Sequence, residues 1–544
     1  VSSWKQYSEF IQSQGIELEH GLEIQLVKNP GGLDLRTFEA SKQPKREALR
    51  TALKVAAKRC GGQLPDENGE EFQWLLHTVT FLAENPQVQS GLFQKEYLDL
   101  PTEVLATSMA KHLKLFSVYS KDGKQLLPKF LAVLEGKPRN SAKVIANYER
   151  SLEARFSDAR LFYREDTKTP LQAKVPELSK VVFHQKMGSV KERVDHLRSL
   201  MARIVSDLRV SARTQDADRA AELCKADLVT QMVREFPSLQ GVIGGCYAKR
   251  GGESDEVARA IAEHYRPRAM KDPVPSTALG AILSLVDRLD TLIGALGVGL
   301  KPSGSADPYA LRRQALGFVR ILIEPPRGIS FVGLSIDRLC DQGIQSWGSR
   351  FNADPKTLKR ELRSFLRERF EWLSFVVHRI DREPIAAVLS GGLGDDLAGA
   401  WERLQVLRRM WADSKDGARR VLEQAAKVAE RTGRIVRSAK GQDDLGAVRP
   451  EAMTEPSEKR LWAKWRELKP EVDEQLQDRN YPKALETYSR LYPEIHEFFE
   501  KVFVMDENLE VRRNRLSLMK EIHRSLSERF ADLSLLPLPA EIAG

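Results

Sequence analysis

From about Asn140 to the C-terminus, apolar residues recur at spacings of three and four. VKERVDHLRSLMARIVSDL, ADRAAELCKADLVTQMVREF and DEVARAIAEHY all carry this period, which predicts amphipathic helices packed into bundles. Before that point the pattern is mixed. EIQLVK, LFSVYS and FLAVLEG read as short strands, whereas REALRTALKVAAKRC repeats with a helical period, so residues from Gly21 to about Gly136 read as an α+β unit. Turn signals at Pro30-Gly31-Gly32 and Asp122-Gly123 separate the pieces. Lys301 to Pro308, KPSGSADP, reads as a loop, and PYALRRQALGFVRILIE after it as a helix with Pro308 near its first turn. Pro325-Pro326-Arg327-Gly328 is the clearest linker. Two closing helices are expected around EIHEFFEKVFV and EVRRNRLSLMKEIHRSLSERF, beyond a polar connector from Gly441 to Ser457. The sequence has no internal repeat.

Length turns these helices into several domains, because 544 residues exceed what one hydrophobic core organises. A net charge of +9 on a 42% hydrophobic background describes a folded, mildly basic chain and permits a nucleic-acid partner without requiring one. Cys60, Cys224, Cys246 and Cys340 form no C-x-x-C pair, which points away from a zinc ribbon or disulfide framework and toward a reducing cytoplasm. The most apolar stretch, Leu279 to Leu300, is interrupted by Asp287, Arg288 and Asp290 and falls short of a membrane span. The chain opens on Val1 without a signal-peptide pattern and is expected to begin inside a longer protein.

Candidate chemistry is sparse. His184, Asp227, His264, Asp287 and Asp290 follow the chain order of ligands in an HD-type metal-dependent phosphohydrolase, since imidazole and carboxylate suit a divalent cation. Ala226 precedes Asp227, however, so the adjacent His-Asp pair is missing and no metal is expected at the degenerate positions Asp227 and Asp290. The glycines around CYAKR and in GALGVG match no phosphate-binding loop, and no nucleophile motif surrounds Cys224 or Cys246, leaving turns and core thiols.

Charge placement is more informative. Between Trp401 and Lys440, eleven Lys or Arg face five acids, a net of +6 in one region. At about 100° per residue, Arg420, Lys427, Arg431 and Arg434 fall within about 60° of one another, with Val421, Ala425, Val428 and Ile435 as apolar positions beside them. Such a stripe can neutralise RNA phosphates; a solvated helix face would look the same.

Longer blocks carry a resemblance. FHQKMGSVKERV (Phe183 to Val194), ADLVTQMVREFPSLQGVIGGCYAKRGGE (Ala226 to Glu253), VARAIAEHYRP (Val257 to Pro267) and DRLDTLIGALGVGLKPSGSADPYALRRQALGFVRIL (Asp287 to Leu322) resemble the beta subunit of bacterial heterotetrameric glycyl-tRNA synthetase. The likeness extends upstream through LPTEVLATSMAKHLKLFSV and NYERSLEARFSDARLFYREDTKTPL. Downstream, AAKVAERTGRI and FVMDENLEVRRNRLSLMKEI are similar to that family's DALR-like anticodon-binding domain.

The resemblance implies a predominantly α, multidomain fold: an α+β B3/4-like domain over residues 1–140, a helical degenerate HD-type domain over 141–324, a helical linker region over 325–384 and a helical anticodon-binding bundle over 385–544. It implies a subunit that binds and orients glycine tRNA while a class II alpha subunit attaches glycine, using ATP and Mg2+ that this chain does not bind. The partners so implied are the alpha subunit and tRNA, with no membrane, in a cytoplasmic heterotetramer of two alpha and two beta chains or in a form descended from a fused alpha-beta chain. Arg420, Lys427, Arg431, Arg434, Arg512, Arg513 and Arg515 are expected on the anticodon arm, and His184, Lys186, Lys301, Arg312 and Arg313 facing the acceptor arm or the alpha subunit. No catalytic residue is expected. The sequence departs from the family where a Lys-Arg pair and an Asn are common, reading Glu430-Arg431 and Arg434. An HD-type phosphohydrolase and a non-catalytic RNA-binding protein are the alternatives.

Overall fold

A computed structural model describes residues 35–537 except 68, 209–213, 303–306, 349–350, 352–353, 413–416 and 439–445. The EIQLVK strand, the Pro30-Gly31-Gly32 turn, Lys415, Lys440 and part of the Gly441 to Ser457 connector lie outside the described residues. By backbone proximity the chain divides into two units, one comprising Val1–Ile321, Pro325–Ile329 and Gln342–Asp354, the other Leu322–Glu324, Ser330–Asp341 and Pro355–Gly544.

The first unit opens with α1 (Leu35–Arg59) and α2 (Glu70–Leu82), followed by strands β1 (Pro86–Leu92), β2 (Phe116–Tyr119) and β3 (Leu126–Glu135). The sheet order is β1-β3-β2, all antiparallel, with Val88 opposite Val133 and Phe116 opposite Leu131. Leu49, Leu53 and Ala57 of α1 and Phe72, Leu76 and Val79 of α2 bury their apolar faces with Phe116, Val118 and Leu131 of the sheet. REALRTALKVAAKRC, LFSVYS and FLAVLEG accordingly form a helix and two strands. The third strand, PQVQSGL, has too weak an alternation to be read from the sequence and is held by pairing along β3.

After this sheet the regular elements among the described residues are helices apart from a short hairpin, β4 (Val182–His184) with β5 (Gly188–Ser189). Helix α3 (Ser141–Asp166) starts where the Asn140 side chain accepts from the Lys143 N–H at 3.0 Å. Then come α4 (Val190–Leu208), α5 (Thr214–Leu223), α6 (Val242–Arg250), α7 (Asp255–Glu263), α8 (Ala278–Gly297) and α9 (Leu311–Ile323). Every residue of α8 from Leu279 to Gly297 is buried, with α4, α5 and α7 packed on it. This central helix is the apolar stretch whose three internal charges broke the membrane pattern; no helix among the described residues is long and apolar enough to cross a membrane.

The second unit holds α10 (Pro355–Trp372), α11 (Leu397–Ala412), α12 (Ala418–Ser438), α13 (Pro456–Gln477), α14 (Tyr481–Ser489), α15 (Tyr492–Lys501) and α16 (Leu509–Ser527). Helix α12 packs on α16 and α14, and α13 on α14 and α15. Trp465, Tyr488, Phe498 and Phe530 fill the centre, and the Tyr488 hydroxyl donates to the Ile522 carbonyl at 3.2 Å.

Candidate nucleic-acid interface

Helix α12 carries the basic stripe. Its inner face buries Leu422, Ala425, Ala426, Val428, Ala429, Thr432 and Gly433. At Gly433 a Cβ would stand 2.8 Å from His523 Cε1 of α16, so a larger residue there requires the His523 ring to shift. Val421 and Ile435 are half-buried and border the stripe. On the outer side Arg420 and Arg434 are exposed, and Lys427 and Arg431 are half-buried. Glu430 lies between two of these cations: Lys427 Nζ is 3.4 Å from its Oε2 and Arg434 Nη2 is 2.7 Å from its Oε1. Arg420 and Arg431 make no hydrogen bond or ion pair among the described residues, which leaves their full charge available to an anion.

The arginines of α16 divide by helical phase. Arg513 is exposed and Arg512 is half-buried with an unpaired Nε. Arg515, grouped with them from the sequence, is only 4% exposed. It pairs with Glu458 and donates to the Phe503 carbonyl at 2.8 Å, to Asp506 at 2.8 Å and to Thr454 Oγ1 at 3.1 Å. Two residues past Arg513, the helix has turned about 200°, which sets Arg515 among the buried Asn514, Leu516 and Leu518. It is an internal clamp joining the start of α13 to the Phe503–Asp506 loop, and the expectation of a surface group is corrected. Arg403, counted in the basic region, is also buried, donating to the Leu393 carbonyl at 3.1 Å.

The first unit contains a buried ionic centre around α8. Lys225 Nζ lies 2.9 Å from His264 Nε2 and 2.9 Å from Asp287 Oδ2, with the Tyr265 ring 3.9 Å away. Arg193 Nη2 donates to Asp287 Oδ1 at 2.9 Å and also to Thr291, and its Nε stands 3.4 Å from Asp290. Asp290 in turn accepts from Trp347 Nε1 at 2.9 Å and lies 3.3 Å from His196. Burial opposes ionisation of Asp287, but Arg193 and Lys225 hold its carboxyl well below the usual range. Asp227 is separate, accepting from the Gly241 N–H at 2.6 Å, and burial pushes its pKa up to about 6. At Gly244 a Cβ would come within 2.9 Å of Asp227 Oδ2, so glycine admits the carboxylate beneath α6.

This arrangement bears on the metal question. His184 sits on the β4-β5 hairpin, accepting from the Lys186 N–H at 3.1 Å and turned edge-on to Tyr309. Asp227 and Asp290 have different partners, and among the described residues no group of three or more His, Cys, Asp or Glu is placed to hold a metal ion. A chain ammonium, Lys225, instead supplies the cation between His264 and Asp287. Sequence reading missed Lys225, Arg193, His196 and Trp347; a lysine in the apolar run AAELCKADL was the available signal for the first. The Cys224 thiol is pushed up to about 12 by burial and offers no nucleophilic thiolate.

Of the remaining expected residues, Lys186, Lys301 and Arg313 are exposed and Arg312 is half-buried, its N–H bonded to the Asp307 carboxylate at 3.2 Å. Phe183 ties the hairpin of His184 and Lys186 to the ionic centre, lying 4.3 Å beneath the Arg193 guanidinium.

The ionic centre carries a pH signature. Burial, then the Lys225 ammonium, lowers the His264 pKa well below 6.5, and Nδ1 at 2.6 Å from the Ile261 carbonyl fixes the neutral Nδ1–H tautomer. The unfolded chain takes up that proton near pH 6.5 and the folded chain does not, so this group's contribution falls on acidification. Wild type should lose its stability advantage over H264Q as pH drops from about 7 to about 5, by up to about 1.4 kcal/mol per unit. Denaturant titrations at each pH measure it; a constant difference would mean that His264 keeps no depressed pKa.

Two family models match the chain, and the first extends into the second unit. Residues 33–390 match the family described as glycyl-tRNA synthetase beta subunit, and residues 426–538 match the DALR anticodon binding domain. The glycine-tRNA ligase beta subunit of Trichlorobacter lovleyi is 36% identical over 493 residues, covering 90% of this chain and 68% of that protein. The beta subunit of Neisseria gonorrhoeae is 34% identical over 500 residues, 91% of this chain and 68% of the relative. That of Myxococcus xanthus is 34% identical over 531 residues, 96% and 72% respectively.

Proposed function

The chain belongs to the glycyl-tRNA synthetase beta-subunit family, and from that premise we propose that it grips the anticodon arm of glycine tRNA with the outer face of α12 while the alpha subunit performs the chemistry. It is a subunit of an aminoacyl-tRNA synthetase with a DALR anticodon-binding domain, and works with an alpha subunit and tRNA. The observation that carries the finer reading is the pair of arginines, Arg420 and Arg431, that have no partner among the described residues, on a helix that runs into the DALR match. Arg434, Lys427, Arg512 and Arg513 add to this face in our reading; Arg515 holds the α13-α16 corner in shape.

Holding the tRNA at both ends is a catalytic contribution, because a fixed 3′ end turns an encounter into an effectively unimolecular step. We assign the acceptor-side or alpha-facing role to His184, Lys186, Lys301, Arg312 and Arg313. The first sheet is taken as B3/4-like and the α8 bundle as an HD-type fold in which Lys225 stands in the ionic centre. ATP, Mg2+ and glycine are handled by the alpha subunit, in a cytoplasmic assembly of two alpha and two beta chains. The experiment is glycylation of glycine tRNA by the alpha subunit with and without this chain. Strong stimulation is expected; none would favour an RNA-binding protein detached from aminoacylation.

A further inference from the structure

A cavity of about 110 Å³ in the first unit lies where the C-terminal ends of α3 and α6 meet the start of the 3-10 helix Leu171–Lys180. The tRNA reading makes no use of it. A polar space of this size holds several waters or one small polyatomic ion. Asp166, Thr169, Leu171, Lys174, Tyr247 and Arg250 are among the residues that line it, and their hydrogen bonds show which polar groups are already engaged.

The acceptors around the cavity are taken. Asp166, 4% exposed, receives the Gln231 N–H on one carboxylate oxygen at 2.9 Å, and on the other the Met232 N–H at 2.9 Å and the Tyr247 hydroxyl at 3.0 Å. At the end of α3 the N–H and the hydroxyl of Thr167 both donate to the Tyr163 carbonyl, at 3.1 and 2.7 Å. At the end of α6 the N–H groups of Gly251, Gly252 and Glu253 donate to the carbonyls of Tyr247, Lys249 and Ala248. These bonds satisfy oxygens that would otherwise draw a cation to two helix C-termini. The donors, by contrast, are spare. Lys174 is half-buried and Arg250 lies 5.6 Å from the Tyr163 ring, and neither has an acidic partner among the described residues. Glu165 and Glu253, close by in sequence, are committed to Lys168 and Arg219. The Thr169 hydroxyl and the Leu171 N–H, the first of the 3-10 helix, likewise have no partner among the described residues.

Spare donors contributed by three segments suit an anion with oxygens on several sides. A tetrahedral phosphate has that form, whereas a planar carboxylate presents only two oxygens. We propose that this cavity seats a phosphate group, held by the Lys174 ammonium and the Arg250 guanidinium with the Thr169 hydroxyl and the Leu171 N–H as further donors. The proposal goes beyond the anticodon-arm reading and does not depend on it. The group is supplied either as the free anion or as a phosphate of bound RNA, and both offer the same oxygens to these donors.

Calorimetric titration of the full chain with inorganic phosphate, against acetate at equal ionic strength, tests it. Phosphate should fill one site with a Kd on the order of 1 mM, and K174M/R250M should weaken it on the order of 10-fold or more. K249M removes the charge next to Arg250 in sequence, a lysine already paired with Asp255 at 3.1 Å, and should leave the affinity within about twofold. The single variant K174M, expected to lose at least about threefold, keeps the test decisive if the double variant does not fold. Repeating the titration on the chain saturated with glycine tRNA separates the two sources. Displacement of phosphate by the tRNA assigns the seat to an RNA phosphate, and undiminished binding assigns it to the free anion. Heats no larger than those of acetate overturn the proposal. Unchanged affinity in K174M/R250M, or an equal loss in K249M, overturns it as well, the last because it marks a general effect of surface charge.

Discussion

If the outer face of α12 grips the anticodon arm, exchanging Arg420, Lys427, Arg431 and Arg434 together for alanine is expected to lower the affinity for glycine tRNA by on the order of 100-fold at about 0.1 M salt, about 3 kcal/mol. It also flattens the dependence of log K on log salt by about three units, since each neutralised phosphate releases a condensed counterion. The four positions are not equal. Arg420 and Arg431 have no acidic partner among the described residues, whereas Lys427 and Arg434 share Glu430, so single replacements of the first pair should weaken binding more than R434A. E430Q, which releases the shared cations, should tighten binding at low salt and lose that gain at high salt. The measurement is filter binding across a salt series with cognate and anticodon-altered tRNAs. A residue that reads a base changes the ratio between the two tRNAs, and one that holds a phosphate weakens both alike. A quadruple variant with wild-type affinity and slope would remove α12 from the interface.

Lys225→Met is the second large effect, and it acts on the fold. Lys225 is 3% exposed and its ammonium is held by Asp287 and His264, so its loss leaves a buried carboxylate with Arg193 as its remaining cation. Removing one partner of a buried pair costs about 3 to 5 kcal/mol, because the remaining charge keeps its desolvation penalty. In a chain of two units this should appear as an earlier unfolding transition of the first unit, with the anticodon-binding unit unchanged. The double variant K225M/D287L should recover part of the loss, with a coupling of about 1 to 3 kcal/mol. Additive single effects would mean that the two groups do not depend on each other.

The basic stripe was legible because helical phase is local: Arg420, Lys427, Arg431 and Arg434 lie on one side of α12 by arithmetic that needs no tertiary information. The same arithmetic separates Arg513 from Arg515, but it does not say which of them faces inward. That depended on Glu458, Asp506 and Thr454 being brought to Arg515 from sequence positions up to 61 residues away. The ionic centre was less legible still. Asp227, His264, Asp287 and Asp290 stood out as metal-type ligands, yet the cation beside two of them is Lys225, a residue type that sequence reading treats as solvent-facing.

By itself, then, the sequence determined that the chain is mostly helical beyond its early α+β part, where its basic charge concentrates, and which family its longer blocks resemble. These are properties of nearest-neighbour spacing and residue type. Only the tertiary structure decided which charges reach solvent. Burying an ionic group is tolerable solely when partners from distant segments meet it, as Arg193 and Lys225 meet Asp287 across 94 and 62 residues. Similar arginines therefore ended as a solvent-facing stripe, an internal clamp and a component of the core.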